Sequence, residues 1–558
     1  MRHILLLLLI AAPFISPAQT TTLTELTNQI AAAVKEVGDE KTSISQTFNA
    51  DKGKPYRLTY TRRTTDSKGK TTEEKWEFNL ADIDKNTVRW EAQKDALLVF
   101  MRISREQRLI KYFKNGELQS YTNELTLFAK GIDNARELEK TFEDAILPAQ
   151  EAWEKESNIK GRKPAELLDV LFKLIGDVQN GALATRQTLE PDGSQLQDRL
   201  RLSVETFNTK GISSKEIFYW SLGDLSEQSV RLSVQNDRAF VEVKTRRNIR
   251  WIATDKDGMP GNFVNEMEIQ VSDPDQGKMV QALLQKLIPF GEEQIQKRLP
   301  QPTTAGETLR LLAATQQKFT REKVDFEQYL KPDCLTQLTL KETAEKKTEV
   351  AEYVFHFGDL NEKSASLEIQ GRNIKVEVGT LERNKFIGYT LNGESKNYEN
   401  KVEFRFPDLE QARLFDHLLP LAIGQCRHTP IPSDFAWLNK CLSVSEKTDV
   451  GLTQKLEFQS LDASCKWKFT RIETSDKKSK EEIFEFNLYD LDPKQVSISV
   501  VGRRITLEIL TKYRQKIISR YENGKPSYTS ELTFVLSDIE SAKVARETLM
   551  TLIEGCKQ

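Results

Sequence analysis

The sequence predicts an α+β protein made of four tandem copies of one helix–antiparallel β-meander–helix module. Three observations carry this prediction. A strand pattern recurs four times, a tight-turn dipeptide follows it at a constant offset, and an amphipathic helix closes each copy.

The strand pattern sets the frame. Trp76 to Asp82, Phe218 to Asp224, Tyr353 to Asp359 and Phe484 to Asp490 place large apolar residues two apart and end on aspartate. A period of two marks a strand with one buried face. The inward sets are Trp76/Phe78/Leu80, Phe218/Trp220/Leu222, Tyr353/Phe355/Phe357 and Phe484/Phe486/Leu488. A second strand follows, with inward residues Val88/Trp90/Ala92, Val230/Leu232/Val234, Ala365/Leu367/Ile369 and Val496/Ile498/Val500. Asp82, Asp224, Asp359 and Asp490 stand between the two strands. Aspartate closes turns by bonding its own backbone, so a structural turn is expected at all four. The competing reading, a fourfold ligand site, has only the alignment behind it.

The turn signal lies 33 residues after each aspartate: Asn115-Gly116, Asp257-Gly258, Asn392-Gly393 and Asn523-Gly524. These pairs tolerate positive φ at both central positions, as a type I′ hairpin requires.

The closing helices show apolar residues three or four apart. Leu138/Phe142/Ile146, Val280/Leu283/Leu284/Leu287, Leu414/Leu418/Leu421 and Val544/Thr548/Leu552 form the stripes. Each copy also opens with a helical pattern: Leu23 to Val37, Ala165 to Val178, Leu309 to Phe319 and Phe435 to Val444. Between the helices, about six or seven antiparallel strands are expected.

These landmarks divide the chain into 1–18, 19–154, 155–300, 301–428 and 429–558. The first segment is a signal peptide: Met1-Arg2-His3, an apolar run from Ile4 to Ile15, then Ser16-Pro17-Ala18. Cleavage would leave Gln19 first. No cysteine stands near that site for lipid attachment, and the apolar run is shorter than the ~20 residues of a bilayer span. The expectation is a periplasmic or secreted protein with no integral membrane span. The links Lys155 to Pro164, Arg298 to Ala305 and Arg427 to Ser433 are polar, and Pro430 and Pro432 stiffen the last.

An antiparallel meander capped by a C-terminal helix resembles the pleckstrin-homology superfold. The resemblance is one of architecture and implies no ligand; a curved half-barrel and a flat sheet with helices on one face are the alternatives.

All five cysteines lie in the C-terminal half. Cys334 and Cys465 each stand 25 residues before their module's aspartate. Cys426 and Cys556 each stand 17 residues after the equivalent helix residues Leu409 and Ile539. The matching positions predict disulfides Cys334–Cys426 and Cys465–Cys556, as an oxidising compartment permits. Modules one and two carry Arg57/Ala149 and Arg199/Gly291 there and must hold the helix by packing. Cys441 is left over; a buried small side chain competes with intermolecular pairing.

The residues point away from catalysis. His356, His417 and His428 are the histidines beyond the leader. There is no HExxH, phosphate-binding loop, EF-hand or nucleophile elbow, and no cofactor or metal is expected. Lys plus Arg (81) nearly balance Asp plus Glu (83), so nucleic acid is not the expected partner. The basic groups Arg102/Arg105/Arg108, Lys244/Arg246/Arg247/Arg250 and Arg503/Arg504 sit among acidic residues and read as solvated faces. The function expected is a non-catalytic interaction or scaffold protein with a protein or other envelope partner. A small-molecule or lipid carrier is the alternative, and an enzyme with a site between modules the third choice. The sequence leaves the oligomeric state open.

Overall fold

The computed structural model describes residues 22–556 except 39–42, 95, 181–182, 208–210, 212, 428–434, 443–449, 460–464 and 476–477. The leader, its cleavage site, His428 and the Pro430/Pro432 joint lie outside the described residues. The chain divides into two units, residues 1–298 and 299–558. The division falls beside the boundary read between modules two and three.

Among the described residues, four opening helices alternate with four closing ones. They are α1 (Leu23–Ala33), α2 (Ile132–Glu156), α3 (Pro164–Leu174), α4 (Pro274–Arg298), α5 (Ala305–Ala314), α6 (Leu409–Cys426), α7 (Phe435–Leu442) and α8 (Ile539–Gly555). The opening helices are shorter than expected. Val37, Val178 and Phe319 begin short strands instead, where β-branched and aromatic residues fit. Val444 lies outside the described residues.

Module one shows the plan. Strands β1 (Val37–Gly38), β2 (Ser43–Ala50), β3 (Arg57–Thr65), β4 (Thr71–Asn79), β7 (Ile110–Lys114) and β8 (Glu117–Thr122) pair in the order β1-β2-β3-β4-β7-β8. Strands β5 (Arg89–Gln93), β6 (Ala96–Arg102) and β9 (Glu124–Ala129) form a second sheet, β5-β6-β9. The six-plus-three arrangement recurs in modules two and three, and among the described residues module four shows five plus three. The expected single meander of six or seven strands is thus corrected to two antiparallel sheets. Short 3₁₀ turns after the β4-type strand redirect the chain out of the first sheet.

The turn dipeptides fall in one place four times. Asn115, Asp257, Asn392 and Asn523 have φ of 50°, 53°, 52° and 47°, and their glycines 85°, 81°, 82° and 80°. Each closes a two-residue hairpin, as between Lys114 and Glu117. The side chains of these four residues also reach back 42 positions. They accept hydrogen bonds from the backbone N–H groups of Glu73, Lys215, Val350 and Glu481 at 2.9–3.1 Å. Glycine would supply the φ but not this bond.

A glutamine joins the two sheets in every module, buried in modules one, two and four and half-buried in module three. Gln46 donates to the Phe128 carbonyl (3.0 Å) and accepts from the Phe128 N–H (2.9 Å). Gln187 does the same with Gln270, Gln328 with Arg405 and Gln454 with Val535. The amide thus stands in for a missing β-strand neighbour and satisfies both backbone groups. Between the sheets and the closing helix lies each core. Phe142, Phe415, Phe534 and Leu283 are fully buried there.

The closing helix is held differently in each module. In modules three and four the chain carries Cys334–Cys426 and Cys465–Cys556. In module two Gly291 lies so near the 3₁₀ turn that a Cβ on Gly223 would come within 2.6 Å of its carbonyl oxygen. Arg298 at the helix end pairs with buried Asp198 at 2.5 and 3.0 Å. In module one Ala149 is fully buried, and Glu156 meets Tyr56 and Lys54.

Candidate functional site

The strand ending at Asn79 and the helix starting at Pro274 meet where module one adjoins module two. Asn79 lies on the outward alternation of β4, so its side chain folds forward and accepts from the Ala81 N–H (2.9 Å). This starts the 3₁₀ turn Leu80–Asp82. The same bond is made by Ser221, His356 and Asn487 to the second residue ahead. The backbone-bonding role expected of Asp82, Asp224, Asp359 and Asp490 therefore belongs to the residue three positions earlier. The aspartate ends the turn and its carboxylate is left for other partners.

Asp82 takes Lys278 of α4, with Nζ at 2.7 and 2.9 Å from its two oxygens. Lys278 also meets Asp275 at 2.7 Å and lies 4.5 Å over the Trp153 ring. Asp275 in turn accepts from Asn79 Nδ2 (3.0 Å) and Arg57 Nε (2.9 Å). Arg57 reaches Asp273 at 3.3 Å, and Lys111 donates to the Ser272 carbonyl (2.7 Å). Arg57, Asn79, Asp82, Lys111, Asp273 and Asp275 line a cleft of about 340 Å³.

Burial sets the protonation energetics. It raises the Asp82 pKa, and Lys278 only partly opposes it. Burial acts on Asp275 too, but Lys278, Asn79 and Arg57 outweigh it and hold that carboxyl below its ordinary value. Burial lowers the Lys111 pKa. Neighbouring carboxylates with opposed shifts in a cleft are the usual mark of acid–base chemistry. Here, however, all four oxygens of Asp82 and Asp275 already face a cation or an amide. The arrangement holds two modules together as it stands.

The second unit repeats the junction. Lys543 of α8 lies 2.9 and 3.1 Å from the Asp359 carboxylate and 2.5 Å from Glu540. Lys278 and Lys543 are equivalent, five residues after Asp273 and Asp538. Cys334 replaces Arg57 and His356 replaces Asn79. Burial and the nearby Lys543 lower the His356 pKa. Apolar contact accompanies the ions in both units. Tyr121 and Leu118 of module one pack against the core of module two. Tyr398 and Phe386 of module three pack against that of module four.

The other aspartates differ. Asp224 is buried, whereas Asp490 is half-buried. Cys441 is a free, buried thiol, and burial pushes its pKa up to about 11. His417 stands 3.0 Å from the Pro300 carbonyl. Within the basic groups, Arg102 pairs with Glu124, Lys244 with Glu242 and Glu266, and Arg504 with Glu473. Sequence reasoning missed the lysines. Their signal is an acid–base pair three apart at the closing-helix start: Asp133/Arg136, Asp275/Lys278, Glu410/Arg413 and Glu540/Lys543. Among the described residues, no helix is long and apolar enough to cross a membrane, and no three His, Cys, Asp or Glu side chains form a metal-binding group. Comparison of the chain with known protein families, curated proteins and solved structures finds no match.

Proposed function

We propose that the chain is an exported, periplasmic or secreted interaction protein, a non-catalytic scaffold whose repeated modules present a surface to an envelope partner. The observation that carries this reading is the junction. Its charged groups are spent on one another, and the same Asp–Lys pair stands in both units, so the site serves assembly of modules. Two further features support it. The inward residues Trp76, Trp220, Phe355 and Phe486 fill their cores, with at most 8% of any of them exposed. Disulfides Cys334–Cys426 and Cys465–Cys556 fit an oxidising compartment. The antiparallel strands and closing helix keep the pleckstrin-homology likeness as an analogy of architecture. The test is fractionation followed by cross-linking of the chain in its own envelope fraction. A specific cross-linked partner is the expected result. Recovery in the cytosol, or no specific partner in the envelope, would remove the proposal.

The carrier reading draws on one groove of about 450 Å³ in module three. Phe319 and Phe326 stack there at 4.9 Å, and Arg405 lies over Phe326. Native mass spectrometry of protein purified without denaturation decides between the two readings: a stoichiometric small molecule favours the carrier. An enzyme at the Asp82/Asp275 cleft would instead show a pH-dependent turnover that Asp275→Asn abolishes.

A further inference from the structure

Each of the two junctions joins two halves. One half is a 3₁₀ turn ending in aspartate: Asp82 or Asp359. The other is a closing-helix start with an acid and a base three apart: Asp275/Lys278 or Glu540/Lys543. The base crosses to the aspartate of the preceding module.

The outermost modules keep one unused half each. Module one carries the helix half on α2. Its Asp133 and Arg136 contact each other at 3.7 Å, with 102% and 66% of their side chains exposed. The neighbouring Ile132 is 49% exposed, whereas its equivalent in module four, Ile539, is 6% exposed. Module four carries the turn half. Asp490 ends the turn Leu488–Asp490 and has no ion-pair partner among the described residues. Beside it Tyr489 is 51% exposed, with Lys512 Nζ 3.9 Å from its ring centre. Module one thus offers a cation and an apolar side chain, and module four an anion and an aromatic ring. Both occupy the positions that form a junction inside the chain.

We propose that the chain associates head to tail with a second copy of itself, the α2 start of one copy docking on the Asp490 turn of the next. Arg136 takes the place of Lys278 or Lys543, and Asp490 that of Asp82 or Asp359. Two different surfaces meet, so the contact is heterologous and can extend into a ring or a filament. Surface charges draw the two surfaces together, which makes the association sensitive to salt. The inference deepens the interaction-protein reading by naming one partner, and it rests on that reading only to this extent. A chain that stays monomeric yet binds an envelope component would sink the inference and leave the reading standing.

The test is sedimentation velocity on the disulfide-bonded chain from Gln19 onward, across a hundredfold concentration range at low and high salt. Species larger than the monomer should grow with concentration and recede in high salt. Asp490→Lys and Arg136→Glu should each return the chain to monomer, with circular dichroism and thermal midpoint unchanged because Arg136 is exposed and Asp490 half-buried. The double variant Arg136→Glu/Asp490→Lys should associate again, since the charges are exchanged. A wild-type chain that is monomeric throughout would overturn the proposal, as would association that neither charge reversal weakens. Failure of the double variant to recover would equally reject the Arg136–Asp490 pairing.

Discussion

In the first unit, the junction is a polar network in which Arg57, Asn79 and Asp82 all face the start of α4. In the second, the same positions hold Cys334, His356 and Asp359, and only the aspartate reaches the lysine of the next module. Cys334 is tied to its own closing helix and is lost to docking. The difference separates two tasks that the first unit combines. The Asp–Lys pair is the shared docking contact. What surrounds it is exchangeable, because a covalent bond inside a module can replace an ion pair between modules.

The largest effect should come from the bridges. Each closes a loop of about 90 residues, which corresponds to on the order of 4 kcal/mol in the chain-entropy model. Calorimetry with and without reductant should show a large loss in the second unit and none in the first. Equal losses would mean that the disulfides do not distinguish the units.

The glutamine clamp should matter alike in both units. Gln46→Ala or Gln454→Ala leaves one backbone N–H and one carbonyl unpaired in a buried place, at about 2–4 kcal/mol. Denaturant melts of the two variants should move by similar amounts. A small shift in one would show that water replaces the amide there.

At the junction, Asp359→Asn leaves a partly buried lysine with a single acidic neighbour, costing about 1–2 kcal/mol. Acid titration should further separate the wild-type carboxylates. Asp82 has a raised folded pKa, so its contribution is present below the ordinary Asp range and fades as pH rises through the folded value. Asp275 has a lowered pKa, so its contribution holds above that range and is lost as pH falls. Melting curves of Asp82→Asn and Asp275→Asn against pH should therefore bend in opposite directions.

The smallest effect should be the sharpest discriminator. The folded pKa of His356 is lowered, so the second unit keeps this contribution above the ordinary His range and loses it as pH falls below about 6.5. His356→Asn installs the residue of module one and should flatten the stability profile between pH 7 and 5. A profile unchanged by the substitution would remove His356 from the account.

Much of the plan was legible in the chain. Positive-φ hairpins need Asn-Gly or Asp-Gly, and a period of two marks a half-buried strand, so local sequence carries both signals. The pairing of Cys334 with Cys426 was readable because the same two offsets recur in module four. Less legible was Gln46-Thr47-Phe48, with its counterparts Gln187-Thr188-Leu189, Gln328-Tyr329-Leu330 and Gln454-Lys455-Leu456. Each glutamine falls two positions before a buried apolar residue, on the inward face. That oddity was a usable signal, but the partner backbone lies 77 to 83 residues away.

By itself, the sequence determined the repeat, the tight turns, the places of the closing helices and the cysteine partners, because these depend on backbone preference and on spacing along one chain. Only the tertiary structure decided that each module folds as two sheets and that Asp82 and Asp359 serve the next module. The physical reason is distance. A carboxylate and an ammonium 196 or 184 residues apart recur along the chain without showing that they meet, and their attraction exists only after both modules have folded and met.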